Sequence, residues 1–184
     1  MTLIKGRLKS VKNLKLIVIA ASLMILSFAW AQRSAAVPFI SSSQGTFRVL
    51  GQPGDQKLQA NIGKPTLVVF WAAWCIPCLY EVPHLNHLQA TYGTAGLKIL
   101  AMNIDEGSDA GIKHMVKKFE MIYPVARPSS QLVRDFGVQA IPAAFLYAPD
   151  GSLAQSWLGP VTAKEVEKHL AKWLPKPKSP KYET

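Results

Sequence analysis

An α/β fold, with a mixed central sheet flanked by helices, is what this 184-residue sequence predicts, and three observations carry the expectation. Largely apolar runs of strand length stand at 66–71, 97–104 and 143–147, and such runs, unlike alternating ones, mark strands covered on both faces. Helical signals separate them. After the last run the chain turns at Asp150-Gly151 into 152–158, which makes an antiparallel hairpin, and then closes with a capped helix.

Taken in chain order, residues 1–31 stand apart from the rest. Lys5, Arg7, Lys9, Lys12 and Lys15 precede LIVIAASLMILSFAWA at 16–31, a stretch of 16 residues without a charge. A basic flank before an apolar run is an export address that keeps the amino terminus in the cytoplasm. As a helix the run would reach roughly 24 Å, against ~30 Å of bilayer hydrocarbon. Ala29-Trp30-Ala31 also fits a small-x-small cleavage site, so residues 1–31 read as a signal segment or a retained anchor helix. The anchor is preferred, because Trp30 suits a membrane interface and Lys15 can snorkel. Residues 32–45, with Ser41-Ser42-Ser43-Gln44-Gly45, read as a linker, residues 46–174 as the folded domain, and residues 175–184, rich in Pro and Lys, as a flexible tail.

Within the domain a helix is expected over 76–92. A second has Ile112, Met115, Val116 and Phe119 on one face behind a Ser108 cap, and a short third spans 132–136 before Gly137. Thr162 and Glu165 form a capping-box pattern that opens the last helix, whose Val166, Leu170, Trp173 and Leu174 share a face. The net charge of +10 does not sit on this domain. The first 15 residues supply five of the positive charges, and the first acid of the chain is Asp55. A nucleic-acid partner is therefore excluded, and the basic excess reads as a membrane address.

Two cysteines are too few for a disulfide scaffold, so their spacing matters more than their number. Cys75 and Cys78 stand where the first apolar strand gives way to a helix, one turn apart, and can close a small disulfide ring. At the helix end Cys75 faces unpaired N–H groups and the positive end of the helix dipole, which favour thiolate, so Cys75 is expected to attack and Cys78 to resolve. Pro77 fits the first helical turn, where no N–H is needed. His84 and His87 follow too closely for a zinc finger, with Pro83 between, and no metal or other cofactor is expected beyond the Cys75–Cys78 disulfide itself.

The residues Phe70-Trp-Ala-Ala-Trp-Cys-Ile-Pro-Cys78, Glu81-Val-Pro83, Asp105, Tyr123-Pro-Val125, Phe136-Gly-Val138, Ile141-Pro142 and Asp150-Gly151 resemble the thioredoxin superfamily. Within it they are similar to the exported TlpA/ResA/DsbE group of thiol-disulfide oxidoreductases. The resemblance covers 46–174 and implies a thioredoxin-like sheet with an extra helix and strand inserted near 107–128. It implies a cis Ile141–Pro142 bond beside the dithiol, with the Ile141 backbone pairing an extended substrate. Trp74, Ile76 and Pro77, together with Ile141 and Pro142, are then the substrate-contacting residues, and Glu81 is a candidate proton relay.

The chain departs from the wider pattern in two places. Val69 stands where thioredoxin buries an Asp, and Ile76, Ala143 and Ala144 stand where members devoted to cytochrome c maturation carry a Glu. The expected function is exchange of disulfides in exported proteins, more as reductase than as oxidase, in the periplasm or another extracytoplasmic space. Residues 16–31 would hold the chain to the inner membrane, and a DsbD/CcdA-type membrane protein would deliver electrons. The rival is a non-catalytic, holdase-like binding module whose disulfide is structural.

Overall fold

The computed structural model describes residues 39–175. The expected signal or anchor at 1–31 and nearly all of the tail lie outside the described residues. Seven strands form one mixed sheet: β1 (Thr46–Val49), β2 (Gln56–Lys57), β3 (Thr66–Trp71), β4 (Lys98–Asn103), β5 (Val125–Pro128), β6 (Ala143–Tyr147) and β7 (Leu153–Leu158), in the order β2-β1-β5-β4-β3-β6-β7. The β3–β4 and β4–β5 pairs are parallel and the others antiparallel. The helices are α1 (Ile76–Tyr80), α2 (Val82–Tyr92), α3 (Asp109–Lys118), α4 (Ser130–Asp135) and α5 (Ala163–Leu170).

The continuous apolar runs have the physical meaning expected of them. Every residue of β3 is buried, and successive side chains enter opposite cores. Leu67, Val69 and Trp71 join Ile99, Ala101, Ala144 and Leu146 under α1, α2, α3 and α5, where Val82, Leu85, Leu88, Ile112, Val166 and Leu170 cover them. Val68 and Phe70 join Leu100, Met102, Phe145 and Tyr147 on the other face, closed by Ile40, Leu58, Leu132 and Phe136. Each such side chain contributes about 1.5–3 kcal/mol on burial. The second core is aromatic: Phe136 meets Phe70, Phe145 and Tyr147 with ring centroids 5.1, 5.0 and 6.1 Å apart.

The helix and strand expected near 107–128 are present as α3 and β5. Ser108 caps α3, its Oγ accepting the Gly111 N–H, and β5 fills the sheet between β1 and β4. The capping box of α5 is complete.

Two expectations need correction. The helix over 76–92 is broken at Glu81, because Pro83 has no N–H to donate to the Leu79 carbonyl and its ring crowds that oxygen. Residues 39–45, read as linker, are packed into the domain. Phe39 bridges Ser152, Ile40 is buried in the aromatic core, and Ser43 Oγ and the N–H groups of Gln44 and Gly45 all donate to Asp135 Oδ2 at 2.8–2.9 Å. Burial works against the Asp135 carboxylate, but these donors and Gln131 outweigh it and hold its pKa below the usual range. A side chain added at Gly45 would collide with the backbone of Leu132. Gly45→Ala is therefore expected to destabilise the domain by about 2 kcal/mol in urea unfolding. A change under about 0.5 kcal/mol, the size of an ordinary surface effect, would show this segment to be a loose linker.

Candidate active site

The site is built at the end of β3. Its last residue, Trp71, accepts a main-chain bond from Ile104 N–H at 3.0 Å, and the chain then crosses Ala72, Ala73 and Trp74 before α1 begins. The crossing is pinned from below. The Asp105 carboxylate accepts the Ala73 N–H at 2.8 Å and is itself held at 2.8 Å by the side-chain amide of the buried Asn103. Cys75 is the N-cap of α1, and its carbonyl accepts from the N–H groups of Cys78 and Leu79.

Cys75 and Cys78 are joined in a disulfide, with Cα atoms 5.3 Å apart. The Cys78 N–H points at Cys75 Sγ at 3.3 Å, the contact that would favour a thiolate there once the bond is opened. Because α1 holds only five residues before the break at Glu81, this effect rests on nearby N–H groups more than on a long helix dipole. Both cysteines are buried in the disulfide form, at 5% and 3% exposure. What the solvent meets around them is apolar: Trp74, Ile76 and Tyr80 are 70%, 64% and 71% exposed, and Pro77 is exposed as well.

Sheet register brings the second segment to this end of the sheet. Ala143 of β6 lies opposite Phe70 of β3, so the residues just before Ala143 face those just after Phe70. They are Ile141 and Pro142, and their peptide bond is cis, as the resemblance implied. Pro142 is buried and its carbonyl accepts the Gly159 N–H at 2.8 Å, while half-buried Ile141 packs against the core cluster that contains both cysteines.

Glu81 is not an exposed helix carboxylate. It lies one turn beyond Cys78, on the same side of the chain, and is 1% exposed. Its Oε1 accepts the Val161 N–H at 2.7 Å, and its Oε2 is buried with no hydrogen-bond partner among the described residues. Burial pushes the carboxyl up to about 7, against the opposing pull of the Val161 N–H. Val69 is buried and apolar, so the acid buried in this core comes from the helical side instead of from the central strand. The helix break falls at Glu81 itself, two residues before Pro83. His84 and His87 do not join the cysteines: His87 Nε2 lies 3.0 Å from Glu167 Oε1. Among the described residues no group of three or more His, Cys, Asp or Glu side chains is arranged to hold a metal ion.

Sequence reasoning gave no place in this site to Val161 and no role to Asp105, though Asp105 stands among the residues that carry the resemblance. An acid directly after an apolar strand was the available sign for Asp105. Val161 contributes only a main-chain N–H, which no side chain announces.

Comparison with known proteins agrees with this geometry. Residues 44–171 match the Redoxin family. The thiol-disulfide oxidoreductase ResA of Bacillus thuringiensis subsp. konkukian (strain 97-27) is 34% identical over 114 residues, covering 61% of this chain and 65% of the relative; the match thus spans just under two thirds of that curated protein. Among solved structures, a thiol:disulfide interchange protein of the thioredoxin family from Chlorobium tepidum TLS superposes with a TM-score of 0.61 at 23% identity, over 70% of this chain and 92% of the other. A candidate DsbE thiol:disulfide interchange protein from Chlorobium tepidum gives 0.60 at 28% identity, over 69% and 92%. With a thioredoxin-like sheet, a Cys-x-x-Cys disulfide at the strand–helix junction and these relatives, the chain belongs to the Redoxin family of the thioredoxin superfamily, on its ResA/DsbE-like side.

Proposed function

We propose that the protein is a thiol–disulfide oxidoreductase that reduces disulfides of exported proteins through Cys75 and Cys78. The observation that carries this reading is the buried Cys75–Cys78 disulfide at the strand–helix junction, with Ile141–Pro142 at the same end of the sheet and Glu81 buried one turn beyond Cys78. In the reduced enzyme the Cys75 thiolate attacks one sulfur of a substrate disulfide. A Cys75–substrate disulfide forms and the first substrate sulfur leaves as thiolate. Cys78 then gives its proton to Glu81 and attacks the Cys75 sulfur, which re-forms the Cys75–Cys78 disulfide and releases the second substrate sulfur. Two electrons have passed from dithiol to substrate. A carboxyl with pKa near 7 suits this transfer, since it can both take and return a proton near neutral pH.

The apolar rim of Trp74, Ile76 and Pro77 would pack against the substrate, and the main chain at Ile141 would pair with an extended segment of it. The enzyme would need no cofactor beyond its own cysteines. Residues 16–31 would hold it at the outer face of the inner membrane, and a DsbD/CcdA-type membrane protein would return it to the dithiol state. The family match and the ResA relative, itself described as a thiol-disulfide oxidoreductase, support the activity.

Three outcomes are expected. Cys75→Ala abolishes catalysed insulin reduction, and full activity in that variant would instead identify a binding module with a structural disulfide. The reduction potential of the Cys75–Cys78 pair lies near the reducing end of the family range, about −270 mV, and a value near −120 mV would reverse the direction. The third concerns Glu81. Its folded-state pKa is raised above the ordinary value, so the folded state binds the proton more tightly; the stability this brings is complete at pH 4.5 and below and is lost as pH rises through 7. Glu81→Gln should flatten that decline, raising stability at pH 8 relative to pH 5 by about 2–3 kcal/mol in urea unfolding, and should slow mixed-disulfide release at pH 7.5 by at least about tenfold. An unchanged pH profile and release rate would remove Glu81 from the mechanism.

A further inference from the structure

Arg127 lies on β5, in the inserted segment, and has no contact with either cysteine. Its guanidinium is nonetheless spent on the loop that supports them. Nε donates to Asp109 Oδ1 at 2.7 Å, one terminal nitrogen to the Asp105 carbonyl at 2.7 Å, and the other to the Gly107 carbonyl. Asp109, in the first turn of α3, is also gripped at 2.9 Å by Arg48 of β1, and the Arg48 and Arg127 side chains hold its carboxyl below the usual range. The loop leaving β4 is thus clamped at two main-chain oxygens by one planar, half-buried side chain. The same Asp105 whose carbonyl Arg127 holds presents its carboxylate to the Ala73 N–H, two residues before Cys75.

We propose that Arg127 is a positioning residue for the nucleophile. By fixing the 105–107 loop it keeps the Asp105 carboxylate under Ala73, which sets the path of Trp74 into the N-cap and the aim of the Cys78 N–H at the Cys75 sulfur. The inserted αβ unit thereby tunes the reactivity of Cys75 without touching it. Three donors of one rigid fork act in three directions, a geometry that a lysine ammonium at the end of a flexible stem cannot reproduce. The inference rests on the exchange reading for its purpose but not for its readout.

That readout is the pH dependence of single alkylation of the reduced protein at Cys75 by iodoacetamide. Asp105, Glu106 and Asp109 lie on this side of the site and the buried Glu81 lies beyond Cys78, so loss of the Arg127 charge would by itself disfavour a thiolate, whereas loss of the Asp105 carboxylate would by itself favour one. Arg127→Lys separates charge from position because it keeps the charge and loses the fork. Arg127→Lys, and independently Asp105→Ser, should each slow alkylation at pH 6.5 by about fivefold and converge on the wild-type rate near pH 10, the sign of a raised thiol pKa and not of altered access. Arg48→Ala, which leaves the grip of Arg127 on both carbonyls, should stay within about twofold of wild type at every pH. A wild-type profile in Arg127→Lys or in Asp105→Ser overturns the proposal. If Arg127→Lys does not fold, Arg127→Gln measured in about 1 M salt, where the lost charge is screened, takes its place: slowed alkylation at pH 6.5 supports the positioning role and a wild-type profile overturns it. A wild-type protein inactive toward insulin would refute the exchange reading while leaving this test intact, and an active one with unmoved profiles would refute the positioning role alone.

Discussion

The junction between β3 and α1 constrains the rest of the molecule. A strand buried on both faces must stop at Trp71, and within four residues the chain must reach Cys75, the N-cap of α1 and the proposed nucleophile. Backbone groups in such a short crossing cannot be left unpaired in the interior. Here the Trp71 carbonyl is paired by Ile104, the Ala73 N–H by Asp105 and the Cys75 N–H by the Ala72 carbonyl. Ile104 and Asp105 belong to the loop after β4, and Arg127 of β5 holds the Asp105 carbonyl, so this loop joins the crossing to the sheet beyond it.

The two faces of the sheet serve this junction differently. The aromatic face, with Phe136 packed against Phe70, Phe145 and Tyr147, ties β3 to β6 and so holds the segments carrying Cys75 and Pro142 at a fixed spacing. The opposite face accepts a carboxyl group in its core. An ionised Glu81 with one oxygen unpartnered would be costly there, and the protein avoids much of that cost by keeping the proton to near neutrality. In the proposed exchange, the same burial that weakens the fold above pH 7 would let Glu81 accept the proton of Cys78.

Much of this was legible in the sequence because its signals are local. The runs 66–71 and 143–147, the Ser108 cap, the Thr162–Glu165 box and the spacing of Cys75 and Cys78 each involve residues within a few positions of one another, and each appears in the fold where expected. The rest depends on contacts between distant residues. Ser43, Gln44 and Gly45 look like a linker until Asp135 supplies the acceptor, some ninety residues on. β1 and β2, with four residues and two, are too short to announce themselves and exist because neighbouring strands pair with them. The break at Glu81 was readable from Pro83, but the burial of Glu81 required knowing that Val161 returns to meet it.

In the proposed exchange Cys75 forms a covalent link to substrate, which Cys78 resolves. Incubating reduced Cys78→Ser protein with a disulfide-bonded protein substrate, then quenching with acid and identifying the adducts by mass spectrometry, tests it directly. A stable mixed disulfide through Cys75, absent from a Cys75→Ser control, is expected. Accumulation of no adduct, or of one that forms equally well without Cys75, would contradict it.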